Sequence, residues 1–114
     1  MSQQVKTKQD SKGILHSADL ETHRVYAIHT KAGEWRGGKA YSDEKAFVLL
    51  SGRCRVTLEL DGKDESLEIM PGELIHIEPG IPHVFYFPED TEMLERFVKD
   101  AQQVNSDRLR EMKK

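Results

Sequence analysis

The sequence predicts an all-β domain, a sandwich or barrel built from short strands. Apolar residues come in short runs, the clearest run alternates apolar and polar side chains, and turn-forming residues separate the runs at close intervals. The runs are VYAIH (25–29), KAFVLL (45–50), RCRVTLEL (53–60), SLEIM (66–70), LIHIE (74–78), HVFYF (83–87) and TEMLERF (91–97). In the third, Cys54, Val56, Leu58 and Leu60 share one side, while Arg53, Arg55, Thr57 and Glu59 share the other. That pattern is a half-buried antiparallel strand. The separators AGEWRGG, SG, DGK, MPGE, EPGIP and FPED are turn signals. Asp61-Gly62 suits a hairpin turn with positive φ. Residues 1–12 are polar and expected to be flexible, and residues 13–98 form the domain. In 99–114, Val104, Leu109 and Met112 at loose helical spacing predict a short helix or tail.

Composition narrows the function. A chain of 114 residues, 37% hydrophobic and 32% charged, suits one soluble domain with a modest core. The net charge of −3 supplies no global basic field for a nucleic acid polymer. No apolar run approaches the ~20 residues that span a bilayer, so no membrane partner is expected. The opening MSQQVKTKQDSKG lacks the apolar core of a secretory signal, and a cytoplasmic location is expected. The single cysteine, Cys54, has no disulfide partner and no zinc-ligand spacing around it. Its place in the alternation makes it a small buried hydrophobe.

Two stretches carry candidate chemistry. In MPGELIHIEPGIPHVFYF (70–87), counting by two puts His83, Phe85 and Phe87 on one face, pointing inward. A histidine there is either a hydrogen-bonded core residue or a ligand, and the spacing leaves both open. In RGGKAYSDEKAFVLLSG (36–52), Lys39, Tyr41 and Lys45 stand just where the chain enters a strand. With Arg36 they suit an anionic ligand such as a phosphate or carboxylate. Trp35 is a candidate stacking platform, or else part of a surface cation–π pair with Arg36. The same lysines, beside Asp43 and Glu44, also read as a solvated charge run.

The second stretch resembles the second motif of the cupin superfamily. Gly72, Gly80 and His83 fit that motif, Pro79 is displaced by one place with Glu78 before it, and Phe87 replaces an asparagine. Aligning Gly33 and Gly52 with the first motif puts Lys39, Tyr41 and Lys45 where metal-binding cupins have two histidines and a glutamate. The resemblance covers residues 25–97 and implies a small jelly-roll β-barrel with a short C-terminal helix or tail. With three of four ligands replaced, it implies no metal and no other cofactor. A metal would need rescue by His76, Glu44 or Glu78. Residues 36–41 and the phrase MLERFVKDA (93–101) are also similar to the sugar-nucleotide ketoisomerase cupins. That likeness implies binding of a sugar nucleotide or sugar phosphate, with isomerase or epimerase chemistry by proton transfer. Lys39, Tyr41 and His83 would be catalytic, and Arg36, Lys45, Trp35, His76 and Phe85 would bind the ligand. The alternatives are a non-catalytic, ligand-binding or regulatory cupin and a metal-dependent cupin enzyme with an atypical ligand set. Family analogy implies a homodimer joined through sheet edges.

Overall fold

Alternation along each strand decides which side is buried. In the computed structural model, which describes residues 5–112, TEMLERFV runs from buried Thr91 to Phe97 with every second residue exposed. Among the described residues eleven strands form: β1 Lys6–Asp10, β2 Gly13–Asp19, β3 His23–Thr30, β4 Glu34–Tyr41, β5 Lys45–Ser51, β6 Cys54–Leu60, β7 Lys63–Ile69, β8 Leu74–Ile77, β9 His83–Phe87, β10 Thr91–Val98 and β11 Gln103–Asn105. A helix, α1 Asp107–Glu111, follows. The strands make two antiparallel sheets, ordered β1-β2-β3-β10-β5-β8 and β11-β4-β9-β6-β7. The inner faces meet through Phe47, Leu49, Val56, Phe85, Phe87 and Met93. Among the described residues no helix is long and apolar enough to cross a membrane.

Three local features depart from expectation. Within the segment 1–12 expected to be flexible, Lys6–Asp10 pairs with β2 in full register. Asp10 fixes that hairpin because its Oδ1 accepts from the backbone N–H groups of Lys12 and Gly13, each at 2.9 Å. Residues 1–4 and 113–114 of the expected termini lie outside the described residues. Thr57, on the polar side of its strand's alternation, is nevertheless buried, with its hydroxyl 2.9 Å from that of Ser66. The strand β11 carries no sequence pattern; it is held by its register with β4, Gln103 opposite Tyr41 and Asn105 opposite Lys39.

The short helix closes the outer face of β4 and β9. Ser106 caps it by accepting from the Leu109 N–H, and Leu109 is fully buried. Gly38 permits this approach: its φ is 95° and a Cβ there would run into the Arg110 side chain. At Gly52 a similar constraint acts on the turn between β5 and β6. Its φ is 87°, and a Cβ would fall on the Asp90 carbonyl oxygen and Thr91 Oγ1.

Gly52→Ala is therefore expected to lose about 2 kcal/mol more stability than Gly72→Ala in urea unfolding. Both glycines have positive φ, 87° and 90°, but nothing lies within 4 Å of a Cβ at Gly72. Equal losses would contradict the close fit between this turn and β10.

Candidate functional site

The barrel interior holds a cluster of charged and polar side chains from both sheets. His83 opens β9 and shares its inner face with Phe85 and Phe87, leaving it 1% exposed. Lys45 opens β5 on the side that also carries Phe47 and Leu49. Glu95 sits on β10 between buried Met93 and Phe97. Lys45 is 4% exposed and Glu95 7%, so both charges are withdrawn from water. Lys45 Nζ lies 3.2 Å from Glu95 Oε1 and 3.0 Å from His83 Nε2. It also stands 4.7 Å from the centre of the Tyr41 ring and 5.1 Å from that of Phe85. Both aromatic rings thus contribute cation–π attraction.

The geometry assigns the protons. A lysine ammonium only donates, so His83 Nε2 accepts from Lys45. The proton of the neutral imidazole then sits on Nδ1, which donates to the Ile81 carbonyl oxygen at 3.0 Å. Among the described residues no buried side-chain nitrogen or oxygen lacks a hydrogen-bond partner. Burial, reinforced by the Lys45 charge, pushes the His83 pKa down from 6.5 to about 3, although its bond to Ile81 acts the other way. Burial also holds the Tyr41 phenol well above its usual range, helped by the negative charge of Glu95. At neutral pH, then, His83 is an uncharged acceptor already in use and Tyr41 keeps its proton.

No family model matches the chain, and neither does any curated protein. Solved structures do match. Oxalate decarboxylase from Bacillus subtilis at pH 4.6 superposes with a TM-score of 0.76 at 17% identity, over 89% of this chain and 30% of that one. A deletion mutant of the same enzyme gives a TM-score of 0.78 at 17% identity, again over 89% and 30%. Another structure of it, from a study of its Mn(II) centres, gives 0.74 at 18% identity, over 82% and 27%. The chain folds as a small cupin jelly roll. It spans about 30% of the length of the first of these matches, and at such identity the likeness concerns the fold alone.

Within the cupin frame, the residues singled out from sequence go to different places. His83, Lys45, Tyr41 and Phe85 come together; the Tyr41 and His83 rings stack with centroids 5.7 Å apart. Lys39 lies opposite His83 in the β4–β9 register, but its Nζ donates to Gln103 Oε1 in an exposed contact. Arg36 is committed elsewhere: Nε donates to Thr30 Oγ1 at 2.8 Å, and the guanidinium forks onto the Asp10 carboxylate. That pairing and two backbone N–H groups outweigh burial and hold the Asp10 carboxyl below its ordinary range. The expected convergence of Arg36, Lys39 and Lys45 on one anion is thus corrected, because each cation has its own partner. Trp35 packs on Tyr86 at 4.7 Å on the opposite side of β4 from Arg36, away from the interior. His76 is exposed and pairs with Glu44 at 3.4 Å, so neither reaches His83; Glu78 is exposed too.

Sequence reasoning missed Glu95 and Asp10. A signal for Glu95 was present: alternation in Met93-Leu94-Glu95-Arg96-Phe97 places an acid on the apolar side, where it needs a buried cation. Asp10 had no such signal, since its strand is polar throughout.

Lys45→Met is expected to destabilise the protein by about 3–5 kcal/mol at neutral pH, because Glu95 is then buried without a counter-charge. The double change Lys45→Met with Glu95→Leu is expected to regain most of that loss in urea unfolding. A single-variant loss below about 1 kcal/mol would mean that water reaches the pair.

His83 also sets an acid limb. The unfolded chain takes up its proton near pH 6.5, whereas the folded protein resists protonation down to about 3. The stability gained by keeping His83 neutral is complete above 6.5 and is lost as pH falls toward about 3. Unfolding free energies measured between about pH 6 and about pH 4.5 are expected to fall less steeply for His83→Gln than for the parent. Parallel slopes would show that His83 titrates alike in both states.

Proposed function

We propose that this protein is a metal-free cupin with no proton-transfer chemistry at its centre, serving as a binding module for a small anionic carbohydrate derivative. The observation that carries this reading is the 3.0 Å contact between Lys45 Nζ and His83 Nε2. The lone pair that a metal ion or a substrate proton would need is already used by an internal cation. Among the described residues no three His, Cys, Asp or Glu side chains gather where a metal could be held. A divalent ion beside Lys45 would also meet charge repulsion in a low-dielectric interior, so the donor set does not fit one. An isomerase would need a base among Lys39, Tyr41 and His83. His83 is held neutral by burial, Tyr41 keeps its proton, and Lys39 is bonded to Gln103 in solvent.

An open cleft on the inner side of β1, β2 and β3 is the better place for a ligand. Its volume is about 610 Å³, within the range of small-molecule sites. Four cations line it, Lys6, Lys8, Arg24 and Arg36, against two carboxylates, Asp10 and Asp19, which leaves two positive charges in excess. Arg24 pairs with Asp19 and Arg36 with Asp10. The excess therefore resides on Lys6 and Lys8, while Tyr26 supplies a ring for a sugar or base to rest on.

Calorimetric titration with a panel of sugar phosphates and sugar nucleotides tests this. Lys6→Met with Lys8→Met is expected to weaken binding about threefold to thirtyfold, as two screened charge contacts would, whereas Lys39→Met leaves it unchanged. No binding by the parent, or equal effects of both variants, would contradict the cleft assignment. Near-stoichiometric manganese, iron or zinc that disappears in His83→Ala would favour the metal-dependent alternative.

A further inference from the structure

The strands that end the two sheets, β1, β8, β11 and β7, are not alike. Three of them are guarded: β1 carries Lys6 and Lys8, β7 carries Lys63, Asp64, Glu65 and Glu68, and β11 is a three-residue piece with Gln103 and Asn105 at its ends. Charged or very short edge strands resist pairing with another chain. The strand β8 has the sequence LIHI, with no Lys, Arg, Asp, Glu or Pro inside it. It pairs with β5 on one side, from Leu74 opposite Val48 to Ile77 opposite Lys45. On its other side no strand among the described residues follows. Its outward row of N–H and C=O groups is therefore left without a ladder partner. Leu74 is 63% exposed, and Ile75 is only half-buried at the margin of the core.

We infer that β8 is a docking edge for an extended segment of another protein, one that carries alternating apolar residues between basic ones. Glu73 precedes the strand and Glu78 follows it, both exposed, and neither has an ion pair among the described residues. A third exposed carboxylate, Glu44, stands beside His76. A segment laid along β8 takes main-chain hydrogen bonds from the edge and rests apolar side chains beside Leu74 and Ile75. Its basic ends then meet Glu73 and Glu78. A second copy of β8 fits poorly. In a continuous antiparallel sheet the two-fold centre falls on Ile75, which sets Glu73 against Ile77, or on His76, which sets Glu78 against Leu74. Either register also brings the Glu73 and Glu78 of both copies to one seam, where like charges repel.

Fluorescence anisotropy of the labelled synthetic peptide KKVTVTVKK with the full chain, joined to amide hydrogen exchange, tests the docking edge. The controls are EEVTVTVEE and the proline-broken KKVTPTVKK. The parent is expected to bind KKVTVTVKK about tenfold or more tighter than either control, with exchange slowed over Leu74–Ile77 and not along β1 or β7. Leu74→Lys, at an exposed position, is expected to keep the melting curve and weaken binding about tenfold. Glu73→Lys with Glu78→Lys is expected to reverse the preference, toward EEVTVTVEE. Slowed exchange on another edge, equal binding of the three peptides, or no binding by the parent would overturn the inference. So would β8 amides whose protection without peptide rises with protein concentration, which would assign the edge to a second copy.

Discussion

A buried ammonium group sets the terms for the rest of this barrel. Lys45 belongs to the six-stranded sheet, as does its partner Glu95, while His83 and Tyr41 belong to the five-stranded sheet. One cation, held by an ion pair within its own sheet, therefore ties the two layers together through a hydrogen bond and two aromatic faces. Such a group is tolerated only when each of its donors is satisfied, and removing any one partner leaves the others stranded. Arg36 repeats the device farther along the sandwich, reaching from β4 to Thr30 on β3 and Asp10 on β1. The sheets are thus joined by apolar packing in the middle and by two internal cations.

This arrangement separates fold from chemistry. A jelly roll presents inward-facing positions from facing strands to one another, and metal-binding cupins use such positions for ligands. Here the same convergence gathers a lysine, a glutamate and one histidine, a set that neutralises itself. On the function proposed above the interior is structural, and the places left for recognition are the cleft beside β1 and the bare edge strand β8 of the larger sheet. The first is charged and concave, and the second is apolar with charges at its flanks. They suit different kinds of partner.

Much of the fold was legible in the sequence. Strand alternation around Cys54 and His83, the Asp-Gly hairpin and the spaced glycines all survive in the structure, because burial on one face fixes period and register. Gly52 is needed where the chain passes against the backbone of Asp90 and Thr91. The site was legible only in part. His83, Tyr41 and Lys45 could be singled out because a charged or titratable group beside an apolar strand is unusual. Which cation meets which carboxylate depends on contacts between residues 26 to 50 positions apart, and no local pattern encodes them. The Lys45–Glu95 and Arg36–Asp10 pairs are of that kind. Strands β1 and β11 were hidden for another reason: they are polar edge strands, stabilised by their neighbours' backbones rather than by an apolar face of their own.

The central claim is that His83 is a neutral imidazole whose Nε2 accepts from Lys45. Long-range proton–nitrogen correlation spectra of the histidine rings, recorded while pH is lowered from neutrality to about 5, test it most directly. The account predicts one ring that stays in the Nδ1–H tautomer throughout and disappears in His83→Gln. A His83 ring that becomes imidazolium near 6.5, or that carries its proton on Nε2, would contradict it.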